Sequence, residues 1–187
     1  MPRNVVASTY VTLDGYIDEP GQWSFPFWSE EASQFKWKEL QDAEAQLLGR
    51  VTYEGFAAAW PTMEEGEFGE KMNAMPKYVA SRTLQSATWN ATIIKGEVAD
   101  EVQRLKEQDG GDLLIGGSGQ LIDYLTQRSL IDEYRLMVCP IVLGTGTKRL
   151  FNGVPRRTLT LVGSTTFPKG VVVLTYHPSE DQALHAT

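Results

Sequence analysis

Three short stretches concentrate the residue types that can hold a phosphate: "LLGRVTYE" at 47–54, "VASRTL" at 79–84 and "LLIGGSGQL" at 113–121. In the first, Gly49 lets backbone come close, Arg50 offers a fork of donors, and Thr52 falls in the first turn of an expected helix. In the second, Ser81 and Arg82 combine a hydroxyl with a guanidinium, a pairing suited to a phosphate monoester. In the third, Ser118 opens a helical pattern whose first amides can face an anion. Gly116, Gly117 and Gly119 crowd the same junction, although glycine is costly to order. Singly, each feature has an ordinary reading: a glycine pair as turn geometry, Arg82 as a solvated surface residue. "GGSG" fits neither the Walker loop nor the GxGxxG fingerprint. The case rests on three such junctions in order.

Other chemistry is limited by inventory. Cys139 is the single cysteine, set in the apolar run "RLMVCPIVLG", which excludes an internal disulfide and a multi-cysteine metal site and reads as a buried small hydrophobe. The two histidines, His177 and His185, lie near the C-terminal end, which leaves no His-based metal site and no Ser-His-Asp triad. Chemistry here is expected to come from a cofactor, with no metal.

The elements that must position these junctions follow from periodicity. "NVVASTYVTL" predicts a strand from Asn4 to Thr12, followed by turns at Asp14-Gly15 and Pro20-Gly21. "WSEEASQFKWKELQDAEA" predicts a helix capped by Ser29, with Trp28, Ala32, Phe35, Leu40 and Ala43 on one broad face and Glu31 at its edge. Short strands are expected at "AQLLG", "KYVAS", "ATIIK" and "DLLIG", and helices at "RVTYEGFAAAW", "EVADEVQRLKEQ" and "SGQLIDYLTQ". The remainder reads as β: "IDEYRLMVCPIVLG", then a hairpin of 158–167 and 170–178 around "PKG". Strands alternating with helices through residue 127 imply an α/β fold of three layers on a mostly parallel central sheet, with an antiparallel C-terminal hairpin. No linker divides the chain, so one domain is expected over 1–178 and a disordered tail over 179–187.

With 17 basic against 24 acidic residues and a net charge of -7, the chain lacks the basic face that nucleic acid requires. No apolar stretch approaches a membrane span and the N-terminal residues show no signal-peptide pattern. A cytoplasmic protein acting on a small molecule is expected, without membrane or nucleic-acid partners. Trp23, Phe25, Phe27 and Trp28 crowd the segment before the Ser29 helix, where they either plug a core edge or line a pocket for a flat ring. Trp60-Pro61 could join the same rim.

In order along nearly the whole chain, "TLDGYI", "LLGRVTYE", "YVASRTL", "GGDLLIGGSGQL", "LIDEYRLMVCPIVLGTGTKRLF" and the closing hairpin resemble the dihydrofolate reductase fold. The resemblance is closer to the reductase (C-terminal) domain of riboflavin-biosynthesis deaminase-reductases and their stand-alone relatives. It implies NADPH as cofactor. Gly49, Arg50 and Thr52 then hold its phosphates, and Ser81 with Arg82 lies near the 2′-phosphate. Gly116, Gly117, Ser118 and Gly119 underlie the pyrophosphate and nicotinamide side. Ala7, Asp14, Gly15 and Ile17, from the first strand and a flexible loop, flank the nicotinamide, and Lys95 borders the adenine pocket. Aligning on Phe35 puts Glu31 where dihydrofolate reductases carry the acid that binds the pterin, in a substrate pocket with Phe27, Trp28 and Phe35. A first-turn Glu favoured by the helix dipole is the competing reading of Glu31.

The resemblance thus implies an NADPH-dependent reductase transferring hydride to a small heterocyclic or carbonyl substrate. It also implies a homodimer through the C-terminal strands, with "RLMVCPIVLGTG" apolar enough to supply the interface. Two alternatives stay open: reduction of 5-amino-6-(5-phosphoribosylamino)uracil in riboflavin biosynthesis, and a non-catalytic nucleotide-binding dimeric protein. The Cys/His set of a zinc deaminase domain is absent, and no basic cluster for a ribityl 5-phosphate is evident.

Overall fold

A computed structural model describes residues 2–63 and 66–179. The tail expected from 179 therefore lies, beyond Ser179, outside the described residues. The strands are β1 (Val5–Thr12), β2 (Ala43–Gly49), β3 (Lys77–Ala80), β4 (Ala91–Ile93), β5 (Asp112–Gly116), β6 (Glu133–Cys139), β7 (Leu159–Thr166) and β8 (Val172–Pro178). They form one sheet in the order β4-β3-β2-β5-β1-β6-β8-β7. From β4 to β6 all neighbours are parallel, while β8 runs antiparallel to both β6 and β7. The helices are α1 (Pro20–Trp23), α2 (Glu30–Asp42), α3 (Arg50–Ala59), α4 (Gly66–Ala74), α5 (Val98–Lys106) and α6 (Gly119–Gln127).

Strand alternation decides what each face buries. Val5, Ala7, Leu47, Leu113 and Ile115 pack on one side against Val102 and Leu105 of α5 and Leu121, Ile122 and Leu125 of α6. Val6 and Leu114 face the other side, against Leu40 of α2 and Met72 of α4. Each fully buried Leu, Ile or Val contributes about 1.5–3 kcal/mol of transfer free energy, so the sheet is held from both faces.

Three local expectations change. Ala43, placed on the α2 face by periodicity, is instead the first residue of β2, because the helix ends at Asp42 and the strand follows without a loop. The second phosphate-type junction leads to no helix: β3 passes through 81–90 directly to its parallel neighbour β4. Helix α4, "GEFGEKMNA", carries two glycines and gave no sequence signal. Tertiary contacts hold it, since Met72 is buried, and Phe68 packs 5.5 Å from the Trp60 ring and 6.1 Å from the Trp37 ring. The buried Lys77 ammonium also takes the Met72 and Asn73 carbonyls at the end of α4 while sitting 3.9 Å over the Trp89 ring. β6 stops at Cys139 because Pro140 has no N–H to continue the ladder. Among the described residues no helix is long and apolar enough to cross a membrane.

Candidate active site

The parallel strands end on a common edge, the place where open α/β sheets bind ligands. β2 ends at Gly49 and β5 at Gly116. The Gly49 N–H donates to Ser118 Oγ at 2.9 Å, which ties the first junction to the third. The Gly117 N–H donates to the Ser8 carbonyl at 3.1 Å, which ties the third to β1. Ser118 has φ 60° and ψ 56°, a left-handed conformation that costs a non-glycine residue about 1–2 kcal/mol. Its carbonyl accepts from the amides of Leu121 and Ile122 and so starts α6. No side chain caps that helix, which leaves its first amides without a side-chain partner.

The grouped glycines separate into two kinds. Gly117 has φ +76° and needs glycine for its backbone. At Gly119 a Cβ would stand 2.4 Å from Ile17 Cδ1, so the tip of the Ile17 side chain must move to admit one. Gly49 and Gly116 need it for neither reason. Gly49 has φ -76° and ψ 159°, and Gly116 is not among the residues of positive φ. A Cβ at Gly49 would meet Ser118 Oγ at an ordinary 3.5 Å, and one at Gly116 would lie 4.0 Å from Phe56. Their missing side chains leave room that the protein does not fill.

A second feature of the edge lies on β1. β5 pairs with β1 only as far as Ser8–Gly116, whereas β6 follows it to Thr12–Cys139. Thr9, Tyr10 and Val11 therefore have no strand on the β5 side. The Ser8 carbonyl, taken by Gly117, and the Thr12 amide, donated to Tyr16, close the two ends of this bare stretch.

The cationic residues of the other junctions lie at neighbouring strand ends. Val79 of β3 is level with Ile93 of β4, so Arg82 and Lys95 follow adjacent strands. Both are exposed, and neither has a partner among the described residues. Arg50 is exposed and paired with Glu54 at 2.8 Å, and Thr52 is half-buried. Ser81 Oγ accepts from the Thr83 and Leu84 amides and thereby caps its own turn.

Several expected site residues are placed differently. Ala7 is 1% exposed, paired with Ile115 and Tyr134, and its side chain packs in the α5/α6 core. The loop that follows β1 is pinned rather than free. Leu13 N–H donates to the Ile141 carbonyl, Ile17 N–H to Lys148, and Leu150 N–H to Gly15, where φ +85° requires glycine. Asp14 takes the Thr12 hydroxyl at 2.6 Å and the amides of Leu143 and Gly144, contacts that hold its carboxyl at about 2. Its carboxylate fastens the rim and is not offered to a ligand. Glu31 is exposed in the first turn of α2. The inward face of that helix is Ala32, Lys36, Glu39 and Leu40, and Glu31 lies about 140° around from Lys36 at 3.6 residues per turn. Phe27, Trp28 and Phe35 are half-buried against Trp23, Met137, Phe167 and Val173, so they serve chiefly as a plug of that core edge.

Periodicity of apolar residues missed the polar group beneath the bare stretch. Glu39 is 3% exposed; its Oε2 accepts from Ser8 Oγ at 3.0 Å and from Lys36 Nζ at 2.8 Å, while Arg135 faces Oε1 at 3.5 Å. Lys36 Nζ also donates to Ser8 Oγ at 2.7 Å and lies 4.9 Å from the Tyr10 ring centroid. Burial works against the Lys36 charge, but Glu39 and Tyr10 outweigh it and hold the ammonium above its ordinary range. Arg135 continues the chain to Glu133 at 2.5 Å, and Glu133 to His177 at 2.9 Å. The signal was present in the sequence as Lys36 and Glu39, three residues apart on the stripe of Ala32 and Leu40. Cys139 is buried and free, its thiol raised to about 11 by burial, and so has no nucleophilic part.

Known proteins share this frame. Acinetobacter baumannii RibD superposes with a TM-score of 0.69 at 16% identity, covering 95% of this chain and 58% of that one. A dihydrofolate reductase from Enterococcus faecalis, solved with NADP(H) and RAB-propyl, superposes with a TM-score of 0.66 at 15% identity, covering 95% of this chain and 97% of that one. The uncharacterized protein YyaP of Bacillus subtilis is 32% identical over 181 residues, 94% of this chain and 95% of that protein. The RibD C-terminal domain model matches residues 3–173. On that match the chain belongs to the RibD C-terminal domain family, and its sheet is that of the dihydrofolate reductase fold.

Proposed function

We propose that the protein is an NADPH-dependent reductase that delivers hydride to a small heterocyclic or carbonyl substrate. The observation that carries this reading is the pair Gly49 and Gly116, glycines the fold does not need, bordering the uncapped start of α6. A dinucleotide fits those residues: its pyrophosphate would lie over the two glycines and the α6 amides, and Arg82 and Lys95 would take the phosphorylated adenosine end. The bare stretch Thr9–Val11 would border the nicotinamide. When bound, the reduced ring supplies the hydride. The protein's own part is to orient and to exclude water, through Ile17 packed on Gly119 and the loop fastened by Asp14. Oxidation of NADPH against a panel of pterin, aminouracil and dicarbonyl substrates tests the reading, and a protein that does not bind NADPH refutes it.

A homodimer belongs to the same reading, with a change of surface. β6, which carries "RLMVCPIVLGTG", lies between β1 and β8 and is interior to the sheet. β7 is the edge strand at the C-terminal end of the sheet, with Leu161 52% and Val162 50% exposed, and offers the surface for a second copy. Light scattering should give twice the chain mass, and Leu161→Lys with Val162→Lys should give the monomer; a monomeric wild-type protein would refute this part.

A further inference from the structure

The polar group under the bare stretch of β1 bears on which substrate class the site accepts, a question that rests on the reductase reading. Tyr10 occupies the middle of that stretch, half-buried on the α2 side of the sheet. Its hydroxyl has no hydrogen-bond partner among the described residues and is not sealed from solvent. The Trp28 ring stands 6.2 Å away at a 46° tilt, and Lys36 Nζ lies 4.9 Å from the phenol ring. Charged or titratable groups facing Tyr10 are Lys36 and Glu39 from α2 and Cys139 from β6.

The hydrogen-bond capacity of this group is uneven. Both oxygens of Glu39 are occupied, by Ser8 and Lys36 on one side and Arg135 on the other. Glu133 is taken by Arg135 and His177. Lys36 spends two of its three N–H bonds on Ser8 and Glu39. What remains to offer a ligand is the Tyr10 hydroxyl, which can donate or accept, and one ammonium N–H, which can only donate. A substrate presenting an amidine edge, itself a donor, would find no exposed carboxylate here, since Glu39 is buried and Glu31 lies on another face of α2.

We infer that Tyr10 is the proton donor of the site and that the substrate presents a hydrogen-bond acceptor, a carbonyl oxygen, to it. The carbonyl carbon gains the hydride supplied by the reduced dinucleotide, and the C=O π pair moves onto oxygen. The Tyr10 O–H bond breaks and its proton forms the new alcohol O–H. The phenolate, beside the Lys36 ammonium, regains a proton from solvent. Lys36 acts through Tyr10 as a positioning residue, and Glu39 and Ser8 hold it in place. Tyr10, a phenol protonated at neutral pH in any case, is raised further by burial, with Lys36 opposing that shift in part.

Two flat probes of similar size separate the possibilities: isatin, which presents carbonyl oxygens, and 2,4-diaminopyrimidine, which presents an amidine. Binding of each is measured by saturation-transfer NMR, with and without NADPH, alongside NADPH-dependent reduction of isatin. Isatin should bind at least tenfold more tightly than the diaminopyrimidine. Tyr10→Phe, which keeps the packed ring, should slow isatin reduction by about 100-fold or more while NADPH affinity stays within twofold. Lys36→Arg should retain more of the rate than Lys36→Met, and the alkaline limb of the wild-type rate should be absent from Tyr10→Phe. Preference for the diaminopyrimidine, wild-type turnover in Tyr10→Phe, or isatin neither bound nor reduced would overturn the assignment. Tyr10-dependent isatin binding without any NADPH binding would support the donor pocket and refute the reductase reading.

Discussion

Adding one methyl group at Gly49 separates the groove from the fold. Its backbone, at φ -76° and ψ 159°, is open to any residue, and the new Cβ would stand 3.5 Å from Ser118 Oγ. The N–H that bonds Ser118 is retained. Replacing glycine removes freedom from the unfolded chain, a gain of about 0.4–1 kcal/mol. Alanine is a poorer N-cap than glycine for α3, a loss of similar size. The two offset, so thermal unfolding of Gly49→Ala should stay within about 2 °C of wild type. Binding should respond otherwise. A methyl in the space needed by a pyrophosphate is an overpacking cost of about 1–3 kcal/mol, or roughly 5- to 150-fold in the NADPH Kd. Gly117→Ala is the contrasting control: at φ +76° it should lower the unfolding temperature by several degrees. Unchanged NADPH affinity in Gly49→Ala, or a stability loss as large as that of Gly117→Ala, would refute the reasoning.

Other residues give independent tests. Arg82→Ala removes an unpaired guanidinium and should weaken NADPH by about tenfold or more while leaving NADH within twofold, read by fluorescence titration; equal losses would exclude a 2′-phosphate contact. Asp14 has its folded value lowered from 3.8 to about 2, so its contribution to stability is present above 3.8 and is lost as pH falls through 2. Asp14→Asn should flatten that acid limb in unfolding temperature measured against pH. Asp123 has the opposite sign: burial raises it from 3.8 to about 6, so stability declines as pH rises from 3.8 through 6, and Asp123→Asn should raise the unfolding temperature at pH above 6 more than at pH 4. Glu39→Ala leaves Lys36 and Arg135 facing an unpaired buried site and should cost about 3–5 kcal/mol by urea unfolding.

Most of the sheet was legible because β1, β2 and β5 announce themselves as short apolar runs ended by glycine or turn residues. The two-faced burial of β1 reads as a β-rich run without charges, and α5 and α6 read as helical spacing. Helix α4 was hidden because its stability comes from Trp37, Trp60 and Lys77, residues distant in sequence. The junction joined by Gly49 and Ser118 was legible as a strand end meeting a helix start, because residue type limits what the backbone or side chain can do there. Glu31 came from aligning the helix on Phe35, and a small shift in register turns a side chain to another face; Ala7 came from the resemblance of the first strand, which does not say which of its side chains face the core. Ser8, Tyr10, Lys36 and Glu39 were missed because a face drawn through apolar residues leaves out the charges that pair within it.

The central claim is a groove for a phosphorylated nicotinamide dinucleotide across the ends of β1, β2 and β5. Titrating the protein with NADPH and with NADH, following tryptophan fluorescence, tests it most directly. The groove predicts saturable NADPH binding with a Kd well below about 1 mM and at least about tenfold tighter than NADH. No saturation by NADPH, or equal affinity for the two dinucleotides, would contradict it.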